Sequence, residues 1–185
     1  MKLVAPMDPI LEFAEIDRLF DRYREQLGTR HDAYRNHIYR MLNFTLFLNR
    51  EGNFDRDALN VAGFFHDLDF VLCGNGAYLD PSAAAACACL DETGRPGLKP
   101  LVTELIVWHH KLTPYRGEHG PIVEYFRRAD LVDLSLGGVR AGVSSAFIKA
   151  VKRTFPNAGF HKLLVRNLTA YALRHPLNPL PMMRP

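Results

Sequence analysis

From about residue 8 to residue 175 the apolar residues of this chain recur at three- and four-residue spacing. No stretch keeps the two-residue alternation of a half-buried strand for long enough to form one. Such a chain can bury its apolar stripes only by packing helix on helix. Breaks fall at Gly28, Glu51-Gly52-Asn53, CGNG (73–76), GRPGLKP (94–100), TPYRGEHGP (113–121) and Gly137-Gly138. They predict an all-α, single-domain bundle of about seven to eight helices over residues 1–175. Asp8-Pro9, Asp32, Asp80-Pro81 and Asn157 read as helix starts with a capping side chain. The helix PSAAAACACLDE (81–92) is nearly all small residues, which lets a neighbour approach closely. Residues 176–185 hold four prolines and read as an extended, poorly ordered tail.

Composition narrows the class. The 185 residues fit one domain, and a hydrophobic fraction of 48% with 23% charged residues is that of an ordinary globular protein. A formal charge of +3 is mild, and no basic tract is dense enough to read as a nucleic-acid arm. No apolar run approaches the roughly 20 residues that span a bilayer. The N-terminus is too short and too soon acidic for a signal peptide. Cys73, Cys87 and Cys89 are odd in number and form no CxxC pair, as expected of a cytoplasmic protein without disulfides. There is no GxGxxG and no Walker A loop.

Four polar residues sit where apolar ones belong. His37 shares a helix face with Ala33, Met41, Phe44 and Leu48; His66-Asp67 closes the apolar run VAGFF; Asp130 shares a face with Val123, Phe126 and Leu134. An ionised carboxylate buried there needs a cation or a strong donor. Two imidazoles and two carboxylates on inward faces can together form a hard metal site. The second His-Asp pair, His31-Asp32, precedes a helix and reads as a cap. The Glu-x-x-His pairs of di-iron bundles do not occur.

The order H…HD…D resembles the HD superfamily of metal-dependent phosphohydrolases, carried here by YRNHIYRML (34–42), AGFFHDLDF (62–70) and FRRADLVDLS (126–135). The intervals are 29 and 63 residues, and the resemblance covers roughly residues 30–135. It implies an HD-like bundle with one divalent ion (Mn, Fe, Co, Ni or Mg) held by His37, His66, Asp67 and Asp130. The implied reaction is hydrolysis of a small phosphomonoester or phosphodiester, nucleotides included. In this reading Asp67 also orients the attacking water, Asp69 or His109 is the general acid or base, and Lys111 and Arg140 contact phosphate.

Two-metal relatives carry two further histidines. His109 follows the stripe Leu98, Val102, Leu105, Ile106 and should point inward, with His110 nearer the surface. The place of the other, near Asp80-Pro81-Ser82, holds no histidine, and the position three after the HD pair is Phe70 rather than an acid. Two alternatives stand beside the hydrolase: a non-catalytic metal- or ligand-binding HD scaffold, and a di-iron HD-type oxygenase. The expected partner is a small phosphorylated metabolite, with no membrane, no strong nucleic-acid signal and a homodimer allowed. Lys149, Lys152 and Arg153 read as a solvated helix face, and Trp108 as core.

Overall fold

A computed structural model describes residues 8–50 and 52–184. Residues 1–7, on which the reading of the N-terminus rests, lie outside the described part, as do Glu51 of the second interhelical break and Pro185. Among the described residues the secondary structure is entirely helical. Eight helices have nine residues or more: α1 (Ala14–Arg22), α3 (His31–Leu48), α4 (Arg56–Phe65), α6 (Leu79–Glu92), α7 (Lys99–Trp108), α8 (Gly120–Leu134), α9 (Ser145–Thr154) and α10 (Phe160–Arg174). Two short ones, α2 (Arg24–Leu27) and α5 (Leu68–Cys73), complete the set with three 3-10 turns. No described helix is long and apolar enough to cross a membrane.

Capping follows the sequence only in part. Asp55 accepts from Ala58 N at 2.9 Å and Ser144 accepts from Phe147 N at 3.2 Å, each satisfying a free N–H of a first turn. Asp8, Asp32 and Asp80 do not cap: α1 starts later, at Ala14, whereas α3 and α6 start at His31 and Leu79, ahead of the expected aspartates. Asp32 and Asp80 instead occupy first turns, where the helix dipole favours a carboxylate without a side-chain bond. Asn157 lies ahead of the cap position of α10, which Gly159 takes, but its side chain still accepts from His161 N.

Helix α3 is the axis of the bundle. Ten consecutive residues, His37 to Leu46, are buried, so neighbours cover it on every side. It packs on α8, α4, α9 and α10. The small-residue helix α6 lies against α7 and α4 with Ala83 and Ala86 buried, as its side chains permit. His66 and Asp67 fill the joint between α4 and α5 rather than a helix interior: Asp67 (φ −115°, ψ 8°) ends one helical run while its carbonyl starts the next.

Helix α8 ends with Gly137 N bonded to Val132 O and Leu136 N bonded to Asp133 O, the Schellman pattern. Its left-handed position, usually glycine, is Leu136 at φ 55°, which costs about 1–2 kcal/mol. The proline-rich tail departs from its expected disorder. Pro181–Met183 forms a 3-10 turn, Met182 is buried, and Lys111 Nζ donates to the Arg184 carbonyl.

Candidate metal centre

The four residues singled out on apolar faces meet at one point. His37 comes from α3, His66 and Asp67 from the α4–α5 joint, and Asp130 from α8; each is at most 1% exposed. His37 Nε2 lies 3.1 Å from His66 Nε2, 3.7 Å from Asp130 Oδ1 and 3.8 Å from Asp67 Oδ2. His66 Nε2 is 3.6 Å from Asp67 Oδ2.

Two histidines of the α7 C-terminus complete the cluster. His109 Nε2 lies 3.3 Å from Asp67 Oδ1. His110, expected nearer the surface, also turns in: Nδ1 is 3.3 Å from Asp130 Oδ2 and Nε2 is 3.8 Å from Asp67 Oδ1. The helical run ends at Trp108, so the two rings follow a turn rather than a helix wheel, and both reach the same space. His110 keeps 10% of its side chain exposed and is the most open member.

Hydrogen bonds fix the ring orientations. His37 Nδ1–H donates to Asp133 at 2.8 Å, His66 Nδ1–H to Gly63 O at 2.8 Å and His109 Nδ1–H to Ile106 O at 2.5 Å. All three partners can only accept, so the Nδ1 atoms carry the protons and the Nε2 lone pairs point into the cluster. This is the arrangement in which imidazoles hold metals. Asp133 is anchored in turn by buried Arg40, whose Nε and Nη2 donate to it at 2.5 and 2.8 Å. Phe160 stacks on the His37 ring with centroids 4.0 Å apart.

The electrostatics are those of a site short of positive charge. Burial drives the His66 pKa down to about 3, and neighbouring His109 and His37 add to the effect, so this ring stays neutral. His110 is also lowered, chiefly by burial and then by His109. Burial and the charges of Asp67 and Asp133 push Asp130 well above the usual carboxylate range. Burial likewise raises Asp67, but His66, His109 and His110 offset it and hold the group low. Neither oxygen of Asp130 has a hydrogen-bond partner, although both are buried. A cation among these atoms would relieve the facing lone pairs and the orphaned carboxylate together. Three overlapping trios can hold an ion: His37, His66, Asp130; His66, Asp67, His109; and His109, His110, Asp130.

The other expected site residues lie elsewhere. Asp69 follows Asp67 by two residues, so the helix turns it away; its Oδ2 accepts from Asn75 at 3.3 Å. Lys111 binds the C-terminal segment. Arg140 is exposed, donates to Ser145 Oγ at 2.9 Å, and lines a different groove. Sequence reasoning missed Asp133 and Arg40. The one available signal was spacing: each follows a ligand candidate by three residues, Asp130 and His37, and so shares its helix face.

A narrow apolar cavity of about 70 Å³ adjoins His110, walled by Phe70, Tyr78, Leu164 and the C-terminal Leu180 and Met182 among others. Compared with protein-family models, curated proteins and solved structures, the chain finds no match in any of the three.

Proposed function

We propose that this protein is a metal-dependent phosphohydrolase of the HD type, acting on a small phosphomonoester or phosphodiester, with nucleotides among the candidates. The observation that carries this reading is the convergence of three imidazole lone pairs on the buried, unpartnered carboxylate of Asp130. The donor types fit a hard or borderline divalent ion; His37, with His66, Asp67 and Asp130 at 3.1, 3.8 and 3.7 Å from its Nε2, would be its ligands. When bound, such an ion supplies Lewis-acid polarisation of a phosphoester oxygen and lowers the pKa of water.

The chain's own residues do the rest. Asp133 and Arg40 hold His37 in one tautomer and one orientation. Asp67, facing both His66 and His109, is placed to orient a water. With Asp69 turned away, proton transfer falls to His109 and to His110, whose ring stands at the apolar cavity and keeps some exposure. Tyr78 Oη lies 3.3 Å from His109 Nε2 and can donate to it.

A second reading rests on His110. With it the cluster offers six ligand residues, enough to share between two ions, which keeps the di-iron oxygenase in play. Elemental analysis, paired with a screen of phosphorylated metabolites against manganese, cobalt, nickel, iron and magnesium, separates these cases. Turnover lost in Asp67→Asn, with the fold intact, supports the hydrolase. Two irons per chain with no phosphoester turnover supports the oxygenase. Bound metal without turnover supports the binding scaffold.

A further inference from the structure

One cavity shares no residue with the histidine–aspartate cluster. It is a groove of about 760 Å³ between the loop after α8 and the exposed face of α9. Its lining includes Arg140, Lys149, Lys152 and Arg153, and no acid. Ser145, Lys149, Lys152 and Arg153 recur at helix spacing, so they form one strip about 12 Å long. Among the described residues none of the four cations is ion-paired; Lys152 donates only to Leu136 O and Arg140 only to Ser145 Oγ.

The charge is segregated on a larger scale as well. From residue 134 to residue 185 the sequence holds eight Lys and Arg and no Asp or Glu, whereas the first 133 residues hold fifteen basic and all twenty acidic ones. The mild net charge hides a basic C-terminal third.

The opposite wall of the groove is apolar and strained. Leu136, at φ 55°, is 52% exposed, and Val139 in the same loop is 46% exposed. Glycine would fill the left-handed position of Leu136 without strain, and an exposed leucine gains nothing there from burial in the core. Gly137 packs closely on α9: a Cβ there would meet Ile148 at 2.9 Å. A row of unpaired cations thus faces an apolar side chain held out at a conformational cost.

We propose that this groove binds an anion carrying two or more phosphates joined to an apolar or aromatic group, the phosphates along Lys149, Lys152 and Arg153 and the organic part against Leu136. A nucleoside polyphosphate and an isoprenyl diphosphate share that chemistry. The site is separate from the metal cluster, so its failure leaves the hydrolase reading untouched, and the reverse.

Titration calorimetry on the full chain, at low and moderate salt, tests it with four probes. These are an adenosine triphosphate analogue with a β,γ-imido bridge, geranyl diphosphate, inorganic tripolyphosphate and a twelve-nucleotide RNA. At least one organic phosphate should bind about ten-fold tighter than tripolyphosphate, and which one does so names the source. Lys149→Glu with Arg153→Glu should abolish that binding and leave metal content unchanged. Leu136→Gly should raise the melting temperature yet remove the preference over tripolyphosphate, a split that a purely structural leucine would not give. The proposal is overturned if no probe binds or if tripolyphosphate binds as well as the organic ligands. It is equally overturned if RNA outcompetes them all, or if binding survives the double charge reversal.

Discussion

Asp130 shows what one side chain gains and loses in this fold. Its carboxylate is buried, unpartnered, and faces Asp67 and Asp133. Asp130→Asn removes the like-charge repulsion and supplies a donor, so the chelated protein should become more stable by about 1–3 kcal/mol. The same change should abolish tight metal binding; denaturant melts with and without chelator measure both. A variant that destabilises the chelated protein would show that Asp130 has a partner other than a cation. Asp133 acts one step further out. Asp133→Asn keeps the shape but weakens the grip on His37 and Arg40, and metal affinity should fall roughly 10–100-fold. Competition with a metal-sensitive dye reads that value directly, and unchanged affinity would reduce Asp133 to a partner of Arg40 alone.

Contacts between elements decide access and part of the pH response. The C-terminal turn Pro181–Met183 walls the cavity beside His110, the most open member of the cluster. Deleting residues 176–185 should therefore speed metal loss to a chelator, measured by stopped flow, without lowering metal stoichiometry at equilibrium. An unchanged rate would mean the route lies elsewhere. Helix α1 is tied to α3 by Tyr39, whose Oη donates to Asp17 at 2.7 Å. Burial, then that hydrogen bond, pushes the Tyr39 pKa up to about 12. The folded state thus keeps the phenol proton after the unfolded chain has lost it. This contribution is whole below pH 10 and fades between about pH 10 and 12. Tyr39→Phe should cost about 1.5–3 kcal/mol at neutral pH and flatten the alkaline fall in stability over that window. A fall of the same slope in the variant would assign it to other groups.

At the scale of the molecule, the cluster joins α3, α4, α5, α7 and α8, so an ion there ties most of the bundle together. Metal at a thousand times its dissociation constant adds about 4 kcal/mol to folding. Chelation should then lower the melting temperature by roughly ten degrees or more, and metal should restore it. A melting temperature indifferent to chelation would remove the basis for a metal centre.

Much of the fold and most of the cluster were legible in the sequence because both are local patterns. Period gave the helices, Gly and Pro gave the breaks, and a polar residue on an apolar stripe stood out at His37, His66, Asp67 and Asp130. Helix starts were less legible, since an aspartate serves the first turn as well as the cap. Asp69 misled although its offset of two residues from Asp67 already put it on the far side of a helix, and Arg140 misled because it lies in the loop after α8, whose course no periodicity reports. His110 does lie nearer the surface than His109, but its place in the cluster was not foreseen because wheel geometry ceases where α7 ends.

What the sequence determined by itself is the helical class and the inward polar positions His37, His66, Asp67 and Asp130, both set by periodicity and the cost of burying polar groups. Only the tertiary structure decided that Asp133 orients His37, that His110 joins the cluster, that the tail walls the cavity beside His110, and that Arg140 faces α9. Each of these depends on contacts between residues far apart in the chain, and those are fixed by how helices pack rather than by any single helix.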